Sequence, residues 1–542
     1  MTPPHGTRPD GGVSAALGDP RALPLLQELV SIAPTNLEDL AGGRFEKPNY
    51  PRAAEAIVRA ARSFGLATRI YDPVVAGVAT EELRGISRPN VIVDLDAGAS
   101  STVLILAHYD VVPVPTEQRA RWKSPPHTLT LRSNGRLYAR GSNDDLGSGV
   151  VASLIALAHL ADDAQLPRNV RLLACCDEET GGEGGIEALR AHDDTLPPGD
   201  LGRFLTSDVA LIPDGSPETT VGSSGVAFLE GSFGGRVPIS EAVAYGEALV
   251  DLHPLAASWN SAYASPDWPD RGAPAPVLTG RASVTKFDIG GVAPSEKLRL
   301  VAAHSETDAA NQIARAVTLV FEGPPAALGG LAAQLTPLVP SPFQLEPAGA
   351  TALSIPKGAL ALQLIGQAAH GGYPHRGHNP VPAALALLRG AVERKWIDPH
   401  ATGSAMFTVD LRLPPEMELA DGLRGALGQV EAWTSKHSLS ARIEAPPSRC
   451  RPGYALAVDH PVAAKLDRIL RETLGSHGIR GEYGGTDASS LRGLSTPSGA
   501  PLPAVVFGSM DDDAHIHDAE ESVDPLRLAG VIRALERFVR EP

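Results

Sequence analysis

The sequence is poor in cysteine, with three in 542 residues, two of them adjacent at Cys175 and Cys176 inside an apolar run. That number and spacing make a poor disulfide framework and a poor zinc knuckle, and they suit a reducing compartment, so a cytoplasmic location is expected. Basic charge is also scarce. With 47 Lys+Arg against 63 Asp+Glu the formal charge is -16, which argues against nucleic acid or an anionic membrane as the main partner. Long apolar runs are missing, since no segment approaches the roughly 18 uninterrupted apolar residues of a membrane helix. The opening MTPPHGTRPDGGVSAALGDP lacks the basic start and apolar stretch of an export signal. Neither a membrane span nor an export signal is expected, and residues 1–18 read as a disordered tail.

What is present is length and a recurring pattern. The chain is too long for one ordinary core, so at least two domains are expected. Asp19 followed by Pro20 marks a helix start, with Leu23, Leu26 and Val30 on one face, and Ala54, Ile57, Val58 and Ala61 repeat that spacing. The runs NVIVDLD and STVLILAHYD, then NVRLLACCDEE and SDVALIPDG, read as buried strands separated by helical segments. Such alternation predicts an α/β domain with a mostly parallel central sheet flanked by helices. From residue 222 the texture changes, and at Pro452 the earlier pattern returns. The expected organisation is a first domain over 19–221 and 451–542, interrupted by an inserted α+β domain over 222–450. Within that insert the 231–356 stretch reads as an enlargement, followed by a strand in KGALALQLIGQAAH, a helix from Val381 and the strand AMFTVDLRL.

Open α/β sheets gather active groups at the carboxyl ends of their strands, and this chain repeatedly puts acids and histidines there. LILAHYDVVP delivers His108 and Asp110 to one side of an extended chain, a spacing at which the carboxylate can hold the ring. ARGSNDDLGSG supplies Asp144 and Asp145 among small residues. Asp177, Glu178 and Glu179 end the third strand, Asp214 ends the fourth, and DDDAHIHDAEE carries His515 and His517. Basic side chains are sparse around these motifs, so metal ions are the economical counter-charge.

In order and spacing, HYDVVP, RGSNDD, DEE, PDG and a late histidine resemble the co-catalytic zinc peptidases that include aminoacylase, carnosinase, succinyl-diaminopimelate desuccinylase, carboxypeptidase G and bacterial dipeptidases. The resemblance runs from about residue 20 to the C-terminus and covers 231–356 poorly; it implies that 19–221 with 451–542 is a catalytic domain and that 222–450 is a lid or dimerisation domain. It implies two zinc ions, with cobalt or manganese as substitutes, bridged by Asp144. His108 and Asp214 would complete one site and Glu179 and His517 the other. Glu178 would be the general base, Asp110 would orient His108, and the peptide bond between Asp144 and Asp145 would be cis. GQAAHGGYPHRGHNP resembles the family's lid motif, which implies an oxyanion contact from His370. VDLRLP places Arg412 where the family grips a substrate carboxylate. GGTDA, with Gly485 and Thr486, resembles a loop whose amides line the substrate site.

The bland readings stand beside these. His515 is read as a loop or supporting residue, Asp208 as a strand-start cap, GGEGG as a flexible turn, and His375 and His378 as surface histidines. Cys175 and Cys176 are read as core packing, and His253 and His304 receive no role. Leu146 departs from the family's lysine after the aspartate pair. The long segment between Asp214 and His370 implies either a monomer that supplies the lid histidine from its own chain or a homodimer with a decorated interface. The leading expectation is a dipeptidase or related exopeptidase acting on small peptides. The alternatives are an N-acyl amino acid deacylase with the same mechanism and an inactive relative that serves as a binding or scaffold protein.

Overall fold

The computed structural model describes residues 9–35, 49–78, 83, 85–114, 116–163, 165–264, 277–292, 296–307, 310–349, 353–476 and 478–542. The chain divides into two compact units, one made of Met1–Val221, Ala455–Arg480 and Thr486–Pro542, the other of Gly222–Tyr454 and Gly481–Gly485.

In the first unit the central sheet runs in the order Ala67–Tyr71, Asn90–Leu95, Asn169–Cys175, Thr102–His108, Val209–Ile212 and Ala504–Val506. Thr102–His108 is parallel to both neighbours, and Ala504–Val506 is parallel to Val209–Ile212. The first two strands are antiparallel, as is the pairing of Val506 with Thr220, so the sheet is mixed with a parallel centre. Val103 to Leu106 and Leu172 to Cys176 are fully or almost fully buried, as apolar strands covered on both faces must be. Each such Leu or Ile contributes about 1.5–3 kcal/mol relative to an exposed one.

The helix that follows the Asp144 loop is apolar all round. It opens with a π-helical turn at Leu146–Val151, continues as Ala152–Leu160, and packs on Pro525–Arg540, which in turn packs on Pro461–Thr473. The last two start alike. Asp524 caps Leu526 N and His460 caps Val462 N, each followed by proline at the first helical position, where its missing N–H costs nothing.

At the amino end the structure departs from the sequence reading. Pro9–Leu17 is helical, with Val13 and Leu17 buried and the helix against Pro525–Arg540, so the part of the expected disordered tail from residue 9 onward is corrected. Val13 and Leu17 are one helical turn apart, and the glycine-rich composition around them masks that pair. Residues 1–8 lie outside the described residues.

The second unit is built on a ten-stranded sheet in the order Gln344–Pro347, Leu360–Ile365, Ala316–Glu322, Arg299–Ser305, Arg281–Gly290, Thr402–Leu413, Gly225–Phe233 and Ala441–Glu444, with two short strands off this path. All these pairings are antiparallel. The last four strands in that order, with helices Ile239–Val250 and Leu419–Lys436, make a ferredoxin-like β-α-β-β-α-β unit. The first four extend the same sheet beyond Arg281–Gly290. The 231–356 stretch thus provides the strands Arg281–Gly290, Arg299–Ser305, Ala316–Glu322 and Gln344–Pro347 to one continuous core that includes Phe287, Phe321, Leu364, Leu388 and Phe407.

The first unit is closed by a charge cluster that makes its stability depend on pH. His159 reaches Glu536 through Nδ1 at 2.6 Å and Asp19 through Nε2 at 2.8 Å. Partial burial disfavours the imidazolium, but the two carboxylates outweigh it and raise the His159 pKa. A raised folded-state value means that this stabilisation is fully present below the unfolded histidine pKa and is lost as pH rises through the folded value. His159→Gln should therefore cost about 0.5–1 kcal/mol of unfolding free energy at pH 6 and almost nothing at pH 9. Urea unfolding at both pH values checks this, and an equal cost at each would contradict it.

Candidate metal centre

The acidic and histidine motifs converge at the carboxyl ends of the first unit's parallel strands. His108 ends Thr102–His108, Glu178 and Glu179 follow Asn169–Cys175, and Asp214 follows Val209–Ile212. Asp144 lies in the turn before the buried helix and His517 in the loop after Ala504–Val506. Two groups of donor atoms result: His108, Asp144 and Asp214 in one, and Asp144, Glu179 and His517 in the other, with the ligand atoms of each group within 4.8 Å of one another. His108 Nε2 lies 3.2 Å from Asp144 Oδ1 and 3.7 Å from Asp214 Oδ2. His517 Nε2 lies 3.0 Å from Asp144 Oδ2 and 3.0 Å from Glu179 Oε2. One carboxylate therefore reaches both groups with its two oxygens. Imidazole nitrogen with carboxylate oxygen is a donor set that suits zinc and similar divalent cations.

Asp110 organises the surroundings. His108 Nδ1 is 3.0 Å from the Asp110 carbonyl and 3.5 Å from its carboxylate, whose two oxygens accept the Glu178 and Glu179 amides at 3.0 and 3.2 Å. One residue thus holds His108 with its carbonyl, so that Nε2 faces the cluster, and fixes the backbone of the Glu-Glu pair with its carboxylate. The backbone is strained beside it, with Asp177 at φ 60° and His517 at φ 62°. Asp177 is anchored there by a buried ion pair with Arg88. The Asp144–Asp145 peptide bond is cis.

The electrostatics follow from burial of so many acids. Burial pushes Glu179 up to about 7, reinforced by Asp144 and opposed by His517. Burial and Asp144 likewise raise Asp214. Burial works against the charged form of Asp144 too, but His108 and His517 outweigh it and hold that carboxyl well below the usual range. Both histidines are raised well above theirs, because the surrounding carboxylates overcome the burial that would discharge them. Burial and then Asp214 push the Asp145 carboxyl well above its usual range. Its neighbour Leu146, which replaces the family's usual lysine, is fully buried. Gly149 is required here, since a Cβ at that position would come within 1.7 Å of Asp145 Oδ2.

Other candidate residues fall where their bland readings put them. His515 is exposed and outside both donor groups, and Asp208 accepts the Thr102 amide at 2.8 Å as a strand-start cap. His375 and His378 are exposed, and Cys175 and Cys176 are buried. The substrate-binding candidates divide between the units. In the second, His370 Nδ1 accepts the Gly372 amide at 3.1 Å, and Gly485 is exposed. Arg412 is 2 % exposed, its fork bidentate on Asp410 at 2.6 and 2.8 Å and its Nη1 donating to the Tyr483 carbonyl. In the first unit, Thr486 is buried and caps Ala488 N. Sequence reasoning missed the tethers around the ligands. Ser148 Oγ donates to the Pro213 carbonyl at 2.6 Å, next to Asp214, and accepts from Ser509 N, while Ser509 Oγ donates to Asn143 Oδ1 at 2.8 Å. Small polar residues in a loop carry no such signal until the fold brings the strand ends together.

The profile of Peptidase family M20/M25/M40 matches residues 104–541, and the chain belongs to that family. An uncharacterized metallohydrolase of Methanocaldococcus jannaschii is 29% identical over 158 residues, 28% of this chain and 36% of that protein. The Cys-Gly metallodipeptidase dug1 of Schizosaccharomyces pombe is 31% identical over 176 residues, 28% of this chain and 34% of that one. Aminoacylase-1 of Mus musculus is 30% identical over 141 residues, 26% of this chain and 31% of that protein. The chain thus spans about a third of the length of these curated relatives. Among solved structures, the dipeptidase Dug1p of Saccharomyces cerevisiae matches with a TM-score of 0.55 at 13% identity, and human carnosine dipeptidase 1 with 0.53 at 14%, each covering 98% of both chains. At those identities the likeness is one of fold. No helix among the described residues is long and apolar enough to cross a membrane.

Proposed function

Starting from that family membership, we propose that the protein is a dipeptidase-type metallohydrolase that cleaves the amide bond of small peptides with two divalent metal ions, zinc by preference. The observation that carries this reading is the pair of donor groups sharing Asp144, with the Glu178–Glu179 backbone hung from Asp110. When bound, the cations would supply the charge that makes a water molecule nucleophilic near neutral pH and polarises the scissile carbonyl. The chain's own residues do the rest. Glu178 takes a proton from the attacking water and delivers it to the leaving amine, so a C–O bond forms as the C–N bond breaks.

His370, with Nδ1 accepting from Gly372, keeps its proton on Nε2, the form that donates to an oxyanion. By the family resemblance Arg412, held in place by Asp410, is assigned to a substrate carboxylate, and the Gly485 and Thr486 amides to the lining of the substrate site. The Cys-Gly metallodipeptidase match favours a peptide substrate. The aminoacylase-1 match supports deacylation of N-acyl amino acids as a second reading with the same residues.

The monomer is the form we infer. An open sheet edge invites a second copy, but here Arg281–Gly290, the edge of the ferredoxin-like half, is already paired with Arg299–Ser305. The strands left at the ends, Gln344–Pro347 and Ala441–Glu444, are four residues each.

Two measurements check these points. Metal analysis should find about two ions per chain, and Glu178→Gln should retain them while hydrolysis of its best dipeptide falls about 100- to 10,000-fold. N-acetyl and N-succinyl amino acids in the same panel separate the two substrate readings. Metal-free wild type, or a fully active Glu178→Gln protein, would sink the mechanism. Light scattering should give a mass near 56.5 kDa, and twice that value would overturn the monomer.

A further inference from the structure

The two donor groups differ in how they are held. The His108 side chain is 2% exposed and gripped by its own strand, whereas that of His517 is 34% exposed, in a loop whose residues Asp512, Asp513, His515 and Ile516 face solvent. Burial is nearly complete around the first imidazole and only partial around the second.

What fixes it is a ring of hydrogen bonds beneath the site. Glu521 Oε1 accepts the backbone amides of Asn143 at 3.2 Å and Asp144 at 3.3 Å, and Oε2 accepts Arg140 Nη1 at 2.5 Å. Arg140 Nη2 donates to Gln118 Oε1 at 2.9 Å, and Gln118 Nε2 donates to the His517 carbonyl at 2.8 Å. The contact between His517 Nε2 and Asp144 Oδ2 closes the ring through the site itself. The side chains of Arg140 and Glu521 are each 1% exposed, so the ion pair is fully desolvated, and the Arg140 guanidinium lies over the Trp122 ring.

A buried pair of this kind is a weak source of net stability, but removing one partner leaves an uncompensated charge, so its geometry is enforced. We propose that Gln118, supported by Arg140 and Glu521, is a positioning residue that sets His517 against the shared Asp144 carboxylate, and so determines the affinity of the cation held by Asp144, Glu179 and His517 far more than that of the cation held by His108, Asp144 and Asp214. The proposal rests on the two-cation reading above. Gln118 is the informative member, because its bond to the His517 carbonyl is the last link to that loop and it carries no charge.

The test is titration of apoprotein with Zn2+ against a chelating indicator, together with the thermal midpoint of the apoprotein. Gln118→Met should leave the midpoint and one zinc affinity unchanged and weaken the other about 10- to 100-fold. Arg140→Lys, which keeps the charge but cannot serve Glu521 and Gln118 as a planar fork does, should weaken the same site. Equal weakening of both sites alongside a lowered apoprotein midpoint would make the ring merely structural, and unchanged affinities in both variants would refute it. Wild-type protein that binds no zinc would instead defeat the two-cation reading.

Discussion

Repulsion among carboxylates is the constraint around which the first unit is arranged. Asp144, Glu179 and Asp214 are brought close together where little water reaches them, with His108 and His517 in contact. Two like charges 4 Å apart repel by about 4 kcal/mol at an effective dielectric of 20, so such a cluster persists only if the fold compels it and something positive compensates. The strain shows in the acid–base balance: burial raises Glu179 to about 7, and the surrounding carboxylates raise both imidazoles. The fold compels the arrangement through parallel strands that end together, strained left-handed turns at Asp177 and His517, and tethers such as Ser148 to Pro213.

The second unit answers a different need. Its ferredoxin-like half carries Arg412, and the last strand of the extension in chain order, Leu360–Ile365, leads into the His370 turn. Gly371 in that turn is required by close approach, since a Cβ there would meet Asp410 Oδ2 at 2.0 Å. Asp410 thus holds Arg412 on one side and crowds the His370 turn on the other.

Much of this was legible in the sequence, for physical reasons. Strands buried on both faces read as unbroken apolar runs, and Thr102–His108 and Asn169–Cys175 fell inside the predicted segments. Asn379 with Pro380 starts the helix expected from about Val381. The acids and histidines were legible because they interrupt apolar runs at strand ends, where bland packing offers them no role. The stretch 231–356 was not legible. Arg281–Gly290 alternates between a buried and a half-exposed face, Gln344–Pro347 is mostly exposed, and proline and glycine are frequent in the stretch, so local composition resembles loop. The helix Pro9–Leu17 was hidden because two buried residues in a glycine-rich setting give little periodicity. The ring through Gln118, Arg140 and Glu521 joins residues almost 400 positions apart, and only the tertiary fold reveals it.

The most direct test of the central claim is anomalous diffraction at the zinc edge from crystals of the zinc-loaded protein. The account predicts two peaks roughly 3.5–4 Å apart, with Asp144 between them, His108 and Asp214 on one, and Glu179 and His517 on the other. A single peak, or a pair that does not share Asp144, would contradict it.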